Sequence, residues 1–249
     1  MARELSFMEH LGELRRRVLI CALAIVVGTA VSFVFFDEII EFLVRPSGLE
    51  TGKDGQLIIT EVTEFLTTAF KVSVLSGFVL ALPVVIYQVI MFVAPGLTRR
   101  ERRLLFGFLP LVLLAFVAGM AFAYFILTPP ALHFLLNFGE DVVTPLIRVS
   151  NIVNLMVRLL FWMGVAFETP LIMFLLAQLG IVSSRRLSRF RRVWVVVAFI
   201  LGALITPTFD PVNQTLVALP LLALYEFGVL LARLAERNRR KAEAAIAQQ

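Results

Sequence analysis

Two glutamates, Glu13 and Glu101, lie within or beside runs of arginine and are the first residues whose type suggests a binding function. A carboxylate accepts two parallel hydrogen bonds from one guanidinium, a geometry that a lysine ammonium does not match. Two such carboxylates could therefore bind two arginines of a ligand. Each also has a structural role available, because Glu13 can pair with Arg17 one turn later and Glu101 can complete a capping box with Thr98. The residue chemistry alone favours these structural roles and leaves the binding role open.

Glu168 is a candidate of a different kind, since it lies inside a long apolar run. Helical rise places it roughly 16 Å from the inner end of that run, near the middle of a bilayer and close to Pro170. An ionised group in hydrocarbon is costly and normally faces a cavity, a partner or a proton pathway. The structural alternative is a neutral glutamic acid that is hydrogen-bonded to a neighbouring helix. We interpret Glu168 as an interaction site or part of a wet cavity, and Arg158 as a residue that snorkels outward or lines a wet face.

Most of the 23 lysines and arginines lie in four clusters, and two long apolar stretches separate each cluster from the next. The clusters are Arg3 with residues 15–17, then residues 99–103, 185–192 and 233–241. Because lysine and arginine next to membrane helices are retained in the cytoplasm, this alternation predicts six crossings with both termini cytoplasmic. The loops between the clusters are acidic and are predicted to face outward.

The composition excludes a water-soluble globular domain. Hydrophobic residues make up 59% of the 249 residues and charged residues 16%, and the mean hydropathy is +0.91. The chain is therefore predicted to be an all-α integral membrane protein, with residues 1–249 forming a single polytopic membrane domain. The basic residues are spread over four loops without interleaved aromatics, which favours contacts with membrane lipids over nucleic acid.

Crossings of about 20 apolar residues predict six helices. Their predicted bounds are residues 18–36, 70–93, 104–127, 152–179, 193–205 and 212–232. The fifth covers only about 20 Å against roughly 30 Å of hydrocarbon, and the sixth is interrupted by Pro220 and Glu226. Helices 5 and 6 are therefore predicted to be short, with a partner or a thinned bilayer beside them. The outer loop at residues 37–65 is predicted to form a cap.

Local signals refine this description. An apolar stripe from Leu5 to Val18 predicts that the first helix begins as an amphipathic arm, and Asp210 followed by Pro211 predicts a capped helix start. Walker, HExxH, CxxC and GxSxG patterns are absent, and His10 and His133 show no metal-ligand spacing. No enzymatic activity, cofactor or metal site is predicted.

Several longer segments carry a family resemblance. They are MEHLGELRRR at residues 8–17, PVVIYQVIMFVAPGLTRRERR at 83–103, GMAFAYF at 119–125, GVAFETP at 164–170, and ITPTFDPVNQT with LYEFG toward the end. Together they resemble TatC, the multi-spanning receptor of the twin-arginine protein translocase, over nearly the whole length. The resemblance implies six helices in a concave, glove-like arrangement in the cytoplasmic (inner) membrane, with an outer cap and cytoplasmic termini.

The resemblance also implies site residues. It assigns recognition of the signal peptide to Glu13 with Arg15, and to Phe92 with Glu101. It implies contact or assembly roles for a second set of residues. These are Pro46, Glu168, Asp210 and Gln214.

By the same resemblance, the chain is expected to be a twin-arginine signal-peptide receptor and the core scaffold of a Sec-independent translocase that exports folded proteins with the proton motive force. The implied partners are TatA-like and TatB-like single-helix subunits, arginine-pair signal peptides and further copies of the chain. The alternative is a proton-coupled secondary transporter with Glu168 as the protonation site. The lack of internal repeats and of broken helices meeting at mid-membrane weighs against it.

Overall fold

The computed structural model describes residues 7–49, 57–96, 98–138, 146–206 and 210–247, and these residues are almost entirely helical. The helices are α1 (Phe7–Val34), α2 (Phe36–Val44), α3 (Glu64–Val93), α4 (Arg99–Phe122), α5 (Thr128–Asn137), α6 (Val149–Phe167), α7 (Thr169–Gln178), α8 (Ser184–Ile205) and α9 (Pro211–Ala247). Short 3-10 turns lie at Arg45–Ser47 and Ala94–Gly96, and a π-helical segment, Ala123–Leu127, joins α4 to α5. Two strands of two residues each, β1 (Leu57–Ile58) and β2 (Ile147–Arg148), form a two-stranded sheet.

Five stretches of the described residues are long and apolar enough to cross a membrane, which makes the chain a multi-pass membrane protein. They are Leu11–Val34, Glu64–Val93, Glu101–Asn137, Val149–Gln178 and Pro211–Arg239. The fifth crossing predicted from the sequence, residues 193–205, is the second half of α8. Because the first half of α8 is rich in arginine, the apolar part of this helix is short although the helix itself has 22 residues.

The first and third predicted crossings are parts of longer helices. The amphipathic arm and the first crossing form one helix, α1, of 28 residues that begins at Phe7. The third crossing continues through the π-helical segment into α5 as far as Asn137. Both helices therefore extend beyond the bounds predicted from the sequence.

The prediction of a short sixth helix is wrong, because α9 has 37 residues and continues through Pro220. Proline is tolerated inside membrane helices where neighbouring groups satisfy the freed backbone carbonyl. The later part of α9 is stabilised by packing, since Ala232 and Ala235 are fully buried together with Ala177 of α7. The packed part of α9 therefore extends beyond residue 232, where the predicted crossing ended.

The chain divides into two compact units, which we describe separately. The described parts of unit one are residues 7–45, 57–96, 98–113 and 148–153, and those of unit two are residues 46–49, 114–138, 146–147, 154–206 and 210–247. Unit one contains α1, α2, α3 and the first half of α4. Unit two contains the end of α4, α5, most of α6, and α7 to α9.

In unit one, α1 and α3 pack in antiparallel directions at a very close approach. A Cβ atom added to Gly28 would lie 2.5 Å from the carbonyl oxygen of Gly77, so only glycine fits there without movement of the helices. A second contact joins the two helices: Arg17 Nη1 donates a hydrogen bond of 3.0 Å to Oε1 of Gln88. Arg17 precedes Gly28 by eleven residues and Gln88 follows Gly77 by eleven, as the antiparallel arrangement requires. The start of α1 therefore lies beside the end of α3.

The predicted cap loop of unit one contains α2, whose inner face is buried through Ile40, Leu43 and Val44. Residues 50–56 of that loop lie outside the described residues. Along the chain, α2 follows α1 directly and precedes the loop that leads to α3.

In unit two, α9 packs against α7 and α8. Trp194 of α8 stacks on Tyr225 of α9 with ring centroids 4.8 Å apart, and Trp194 Nε1 donates to the carbonyl oxygen of Leu221 at 3.3 Å. Tyr225 Oη donates to the carbonyl oxygen of Leu187 at 2.8 Å. These contacts fix α8 against α9 through amphipathic aromatic side chains.

Glu64, at the start of α3, joins three segments of unit one. It is 8% exposed, and its carboxylate accepts hydrogen bonds from Ser150 Oγ at 2.6 Å, from the Thr60 backbone N–H at 2.8 Å and from Thr60 Oγ1 at 3.1 Å. The first turn of α3, the loop before it and the start of α6 are therefore held by one side chain.

We expect Glu64→Ala to lower the free energy of unfolding by about 2–3 kcal/mol, because it removes three hydrogen bonds to a buried, charged acceptor. Thermal unfolding in detergent measures the change. The matched control is Glu61→Ala, which removes an exposed carboxylate from the same loop and should leave stability unchanged. Equal effects of the two substitutions would contradict this role of Glu64.

Candidate functional site

Glu13 lies on α1 one turn before Arg17, and the predicted ion pair between them is present. Arg17 donates from Nε to Glu13 Oε1 at 3.0 Å and from Nη2 to the same oxygen. All described hydrogen bonds of the Glu13 carboxylate thus use one oxygen. The second oxygen, Oε2, remains available to an additional donor, and the side chain is only half-buried.

Glu101 lies in the first turn of α4, and the predicted capping box with Thr98 is also present. Glu101 Oε2 accepts from the Thr98 backbone N–H at 2.8 Å and from Thr98 Oγ1 at 2.7 Å, while the Glu101 N–H donates to Thr98 Oγ1 at 3.4 Å. Again a single carboxylate oxygen takes the described hydrogen bonds. Structural use and ligand binding are therefore compatible at both glutamates, since each keeps an oxygen for a guanidinium.

Phe92 lies in the last turn of α3, at the same height along the helices as Glu13. Since Arg17 lies beside Gln88 in the antiparallel pair of α1 and α3, one further turn brings Glu13 level with Phe92. The side chain of Phe92 is half-buried. An aromatic ring thus stands at the same height as the first carboxylate.

The turn from α3 to α4 brings Glu101 to the same height. Arg102 Nη2 lies 3.9 Å from the Met91 sulfur, and the rings of Tyr87 and Phe106 lie 6.2 Å apart, so α3 and α4 form an antiparallel hairpin. Because Arg102 faces Met91, Glu101 lies at the same height as Phe92. We name the set Glu13, Phe92 and Glu101 the acidic end of unit one.

Arg15 is exposed on α1, two residues after Glu13. Residues at this spacing lie on different faces of a helix, so Arg15 does not share the face of Glu13. The helix register therefore places Glu13, Phe92 and Glu101 at the same height, whereas Arg15 lies on a different face of α1 from Glu13.

Glu168 occupies the break between α6 and α7. Its backbone N–H donates to the carbonyl oxygen of Val165, and its side chain caps no N–H of α7. Both carboxylate oxygens are buried, and no described residue hydrogen-bonds to them. Pro170 stands in the first turn of α7, directly after this break. The hydrogen-bonded neutral form of Glu168, the structural alternative, has no partner among the described residues.

Asp210 and Gln214 stand at the start of α9. Asp210 Oδ1 accepts from the Asn213 backbone N–H at 2.7 Å, which confirms the predicted cap before Pro211. Gln214 Nε2 donates to the carbonyl oxygen of Phe199 at 2.8 Å and so joins α9 to α8. Residues 207–209 of the preceding turn lie outside the described residues.

Pro46 lies in the 3-10 turn Arg45–Ser47 that follows α2. This turn ends at Gly48, whose positive φ of 69° suits glycine. Pro46 is thus part of the segment in which the chain leaves α2.

Three long-range polar contacts were not expected from the sequence. Gln88 accepts from Arg17, Glu226 forms an ion pair of 2.6 Å with Arg191, and Glu236 accepts from the Ser184 backbone N–H at 2.6 Å. A single polar residue within an apolar run was the available signal for Gln88 and Glu226. Among the described residues, no group of three or more histidine, cysteine, aspartate or glutamate side chains is placed to hold a metal ion.

The helices and the apolar stretches define a multi-pass α-helical membrane protein, and unit one carries carboxylates beside arginine-rich segments. The family model described as Sec-independent protein translocase protein (TatC) matches residues 9–220. The chain belongs to the TatC family.

Relatives and solved structures agree with this membership. The chain is 35% identical to the Sec-independent protein translocase protein TatC of Carboxydothermus hydrogenoformans over 93% of this chain and 94% of the relative. It is 37% identical to the protein of the same name of Aquifex aeolicus over 95% and 98%. A structure described as "Crystal Structure of Twin Arginine Translocase Receptor- TatC" superposes with a TM-score of 0.81 at 37% identity, covering 91% of this chain and 99% of that chain.

The unpaired carboxylate of Glu168 gives a stability prediction. We expect Glu168→Leu to raise the free energy of unfolding by about 1–3 kcal/mol, because it removes buried polar atoms that lack hydrogen bonds. Thermal unfolding in detergent measures the change. The control is Glu226→Leu, which breaks the exposed ion pair with Arg191 and should lower stability by at most about 1 kcal/mol. Destabilisation by Glu168→Leu would show that the carboxylate has a partner and would contradict this assignment.

Proposed function

We propose that this chain is the twin-arginine signal-peptide receptor and the core scaffold of a Sec-independent translocase that exports folded proteins. Membership in the TatC family and the similarity to a receptor structure support this function. The observation that carries it is the arrangement of Glu13 and Glu101, each with one carboxylate oxygen that no described hydrogen bond uses.

The proposed binding reaction is a pairing of two guanidinium groups with two carboxylates. The first arginine of the signal donates to Oε2 of Glu13 and the second to Oε1 of Glu101, or the reverse. Arginine is favoured over lysine, because its planar head is more weakly hydrated and offers several donors in a fixed geometry. Phe92, level with both glutamates, contacts a guanidinium face or the apolar stretch that follows the arginine pair.

Arg15 has a separate role in this proposal. Because it lies on a different face of α1 from Glu13, it contacts another part of the signal or the phosphates of membrane lipids. A guanidinium at this position also keeps the start of α1 near the membrane surface.

The proposed scaffold has six crossings. Five are the long apolar helical stretches described above, and the sixth is the short apolar part of α8, residues 193–205. It forms one polytopic membrane domain with a concave, glove-like shape, an outer cap and cytoplasmic termini in the cytoplasmic membrane. The four arginine-rich clusters support this orientation through the retention of basic residues in the cytoplasm. The proposal includes no enzymatic activity and takes its driving energy from the proton motive force.

The proposed partners are TatA-like and TatB-like single-helix subunits and further copies of the chain. Pro46, Glu168, Asp210 and Gln214 are the proposed contact or assembly positions. Glu168 supports such a role best, since its buried carboxylate lacks a described hydrogen-bond partner that a second subunit could supply. The alternative of a proton-coupled transporter, which would use the same glutamate, has no support from the family match.

A binding assay with two signal peptides tests the proposed recognition. Purified full-length protein should bind a peptide with paired arginines about tenfold more tightly than its double-lysine version, and Glu13→Gln or Glu101→Gln should remove most of this preference. Glu38→Gln, an exposed neutralisation on α2, is the matched control and should retain the preference. Equal binding of both peptides by the wild-type protein would contradict the proposal.

The substitution Glu101→Gln distinguishes the effect of the negative charge from the effect of the capping box. Glutamine at this position still completes a capping box, so the start of α4 is preserved while the acidic acceptor is lost. Circular dichroism and thermal unfolding should therefore be unchanged in Glu101→Gln. Any loss of the arginine preference is then assigned to the missing charge.

A further inference from the structure

Arg17 lies beside the acidic end of unit one, and its guanidinium bridges two helices. Nε and Nη2 donate to Oε1 of Glu13 on the same helix, and Nη1 donates at 3.0 Å to Oε1 of Gln88 on α3. The side chain of Arg17 is only 16% exposed and that of Glu13 is 24% exposed. All three nitrogens of the guanidinium therefore have acceptors, and the two acceptors lie on different edges of its plane.

The ion pair between Arg17 and Glu13 leaves one carboxylate oxygen without a hydrogen bond. An arginine and a carboxylate frequently pair through two parallel hydrogen bonds, one to each oxygen. In this pair both N–H groups donate to Oε1, and no described residue donates to Oε2. A further restraint on the guanidinium accounts for this arrangement. Among the described residues, Gln88 is the one other hydrogen-bond partner of Arg17.

Gln88 can supply this restraint because helix packing fixes its position. The close contact of Gly28 with Gly77 sets the register of α1 and α3. Arg17 and Gln88 each lie eleven residues from that contact, on facing helices. The guanidinium is planar, so a bond that holds Nη1 also fixes the direction of the edge that faces Glu13. Gln88 therefore limits how far Arg17 can turn toward its carboxylate.

A neutral amide suits this position better than a carboxylate or an apolar group. Arg17 has only donors, so the amide oxygen of Gln88 faces it and the amide nitrogen points elsewhere. A carboxylate at position 88 would compete with Glu13 for the guanidinium, because a charged acceptor binds it more strongly. An apolar side chain would leave Nη1 without an acceptor and would allow Arg17 to pair with both oxygens of Glu13. The amide holds Arg17 without taking its charge from Glu13.

We propose that Gln88 is a positioning residue of signal recognition. By holding Nη1 of Arg17, it restricts Arg17 to one oxygen of Glu13 and keeps Oε2 for a guanidinium of the signal peptide. Gln88 acts through Arg17 and does not contact the peptide. This inference rests on the proposed function, and it adds that the preference for arginine depends on an uncharged residue of α3.

The loss of Oε2 affects a bound arginine more than a bound lysine. A guanidinium is recognised through donors in a fixed planar geometry, whereas an ammonium acts as a point charge with rotatable donors. If Arg17 occupied both oxygens of Glu13, an arginine of the signal would lose its acceptor. The weaker attraction of a lysine to this site would change little. Gln88 therefore controls the size of the preference for arginine.

Binding of the paired-arginine peptide and of its double-lysine version to the purified full chain tests this role. Gln88→Leu should reduce the roughly tenfold preference of the wild-type protein to about threefold or less, through weaker binding of the arginine peptide. Tyr87→Phe, which removes a hydroxyl from the adjacent exposed position, is the matched control and should keep the preference. A full preference in Gln88→Leu would overturn this inference and leave the proposed function in place. Equal binding of both peptides by the wild-type protein would overturn both.

A double substitution separates positioning from direct contact with the peptide. In an Arg17→Met background, Gln88→Leu should change the preference by less than about twofold, because the guanidinium that Gln88 holds is absent. The same loss of preference with and without Arg17 would show that Gln88 contacts the peptide itself, and it would overturn the positioning role.

A charged variant gives a prediction of the opposite sign and keeps the test decisive if Gln88→Leu does not fold. Gln88→Glu should draw Arg17 away from Glu13 and tighten the binding of the arginine peptide by at least about threefold. Arg16→Gln changes the charge of this region by the same amount from an exposed position and should have a smaller effect. Equal effects of the two substitutions, or weaker binding in Gln88→Glu, would overturn the proposal.

Discussion

The close approach of α1 and α3 is the constraint on which the acidic end of unit one depends. At Gly28 and Gly77 the two backbones are so near that an added Cβ atom would meet the facing backbone. Together with the hydrogen bond from Arg17 to Gln88, this contact fixes the antiparallel register of the helices. Glu13 consequently lies beside the end of α3. Along α1 it is about 22 Å from Gly28, the contact that fixes the register.

In the proposed function, the acidic end combines a structural role with recognition in the same side chains. Glu13 neutralises Arg17 and Glu101 closes the first turn of α4, yet each uses one carboxylate oxygen for this purpose. The intramolecular bonds orient the carboxylates before a ligand arrives, which lowers the conformational entropy lost on binding. The remaining oxygens provide two acceptors for two guanidinium groups. The proposed binding role is thus compatible with the observed structural role at both positions.

Local features could be predicted from the sequence, and long-range ones could not. The Thr98 box and the Asp210 cap follow from residue types three positions apart, and both are present. Hydropathy located the apolar runs but missed where helices end, because packing of α9 against α7 extends that helix through polar residues. Contacts such as Ser150 with Glu64, 86 residues apart, depend on tertiary packing that residue type alone does not encode. For the same reason, the height of Phe92 relative to the two glutamates became apparent only from the helix register.

A double-mutant cycle tests the central claim that each glutamate holds one guanidinium. Each arginine of the signal peptide is changed singly to lysine and combined with Glu13→Gln or Glu101→Gln, and the dissociation constants of all combinations are measured. Each glutamate should show a coupling free energy of about 1–2 kcal/mol with one arginine and almost none with the other. Additive effects in all four combinations would contradict the claim.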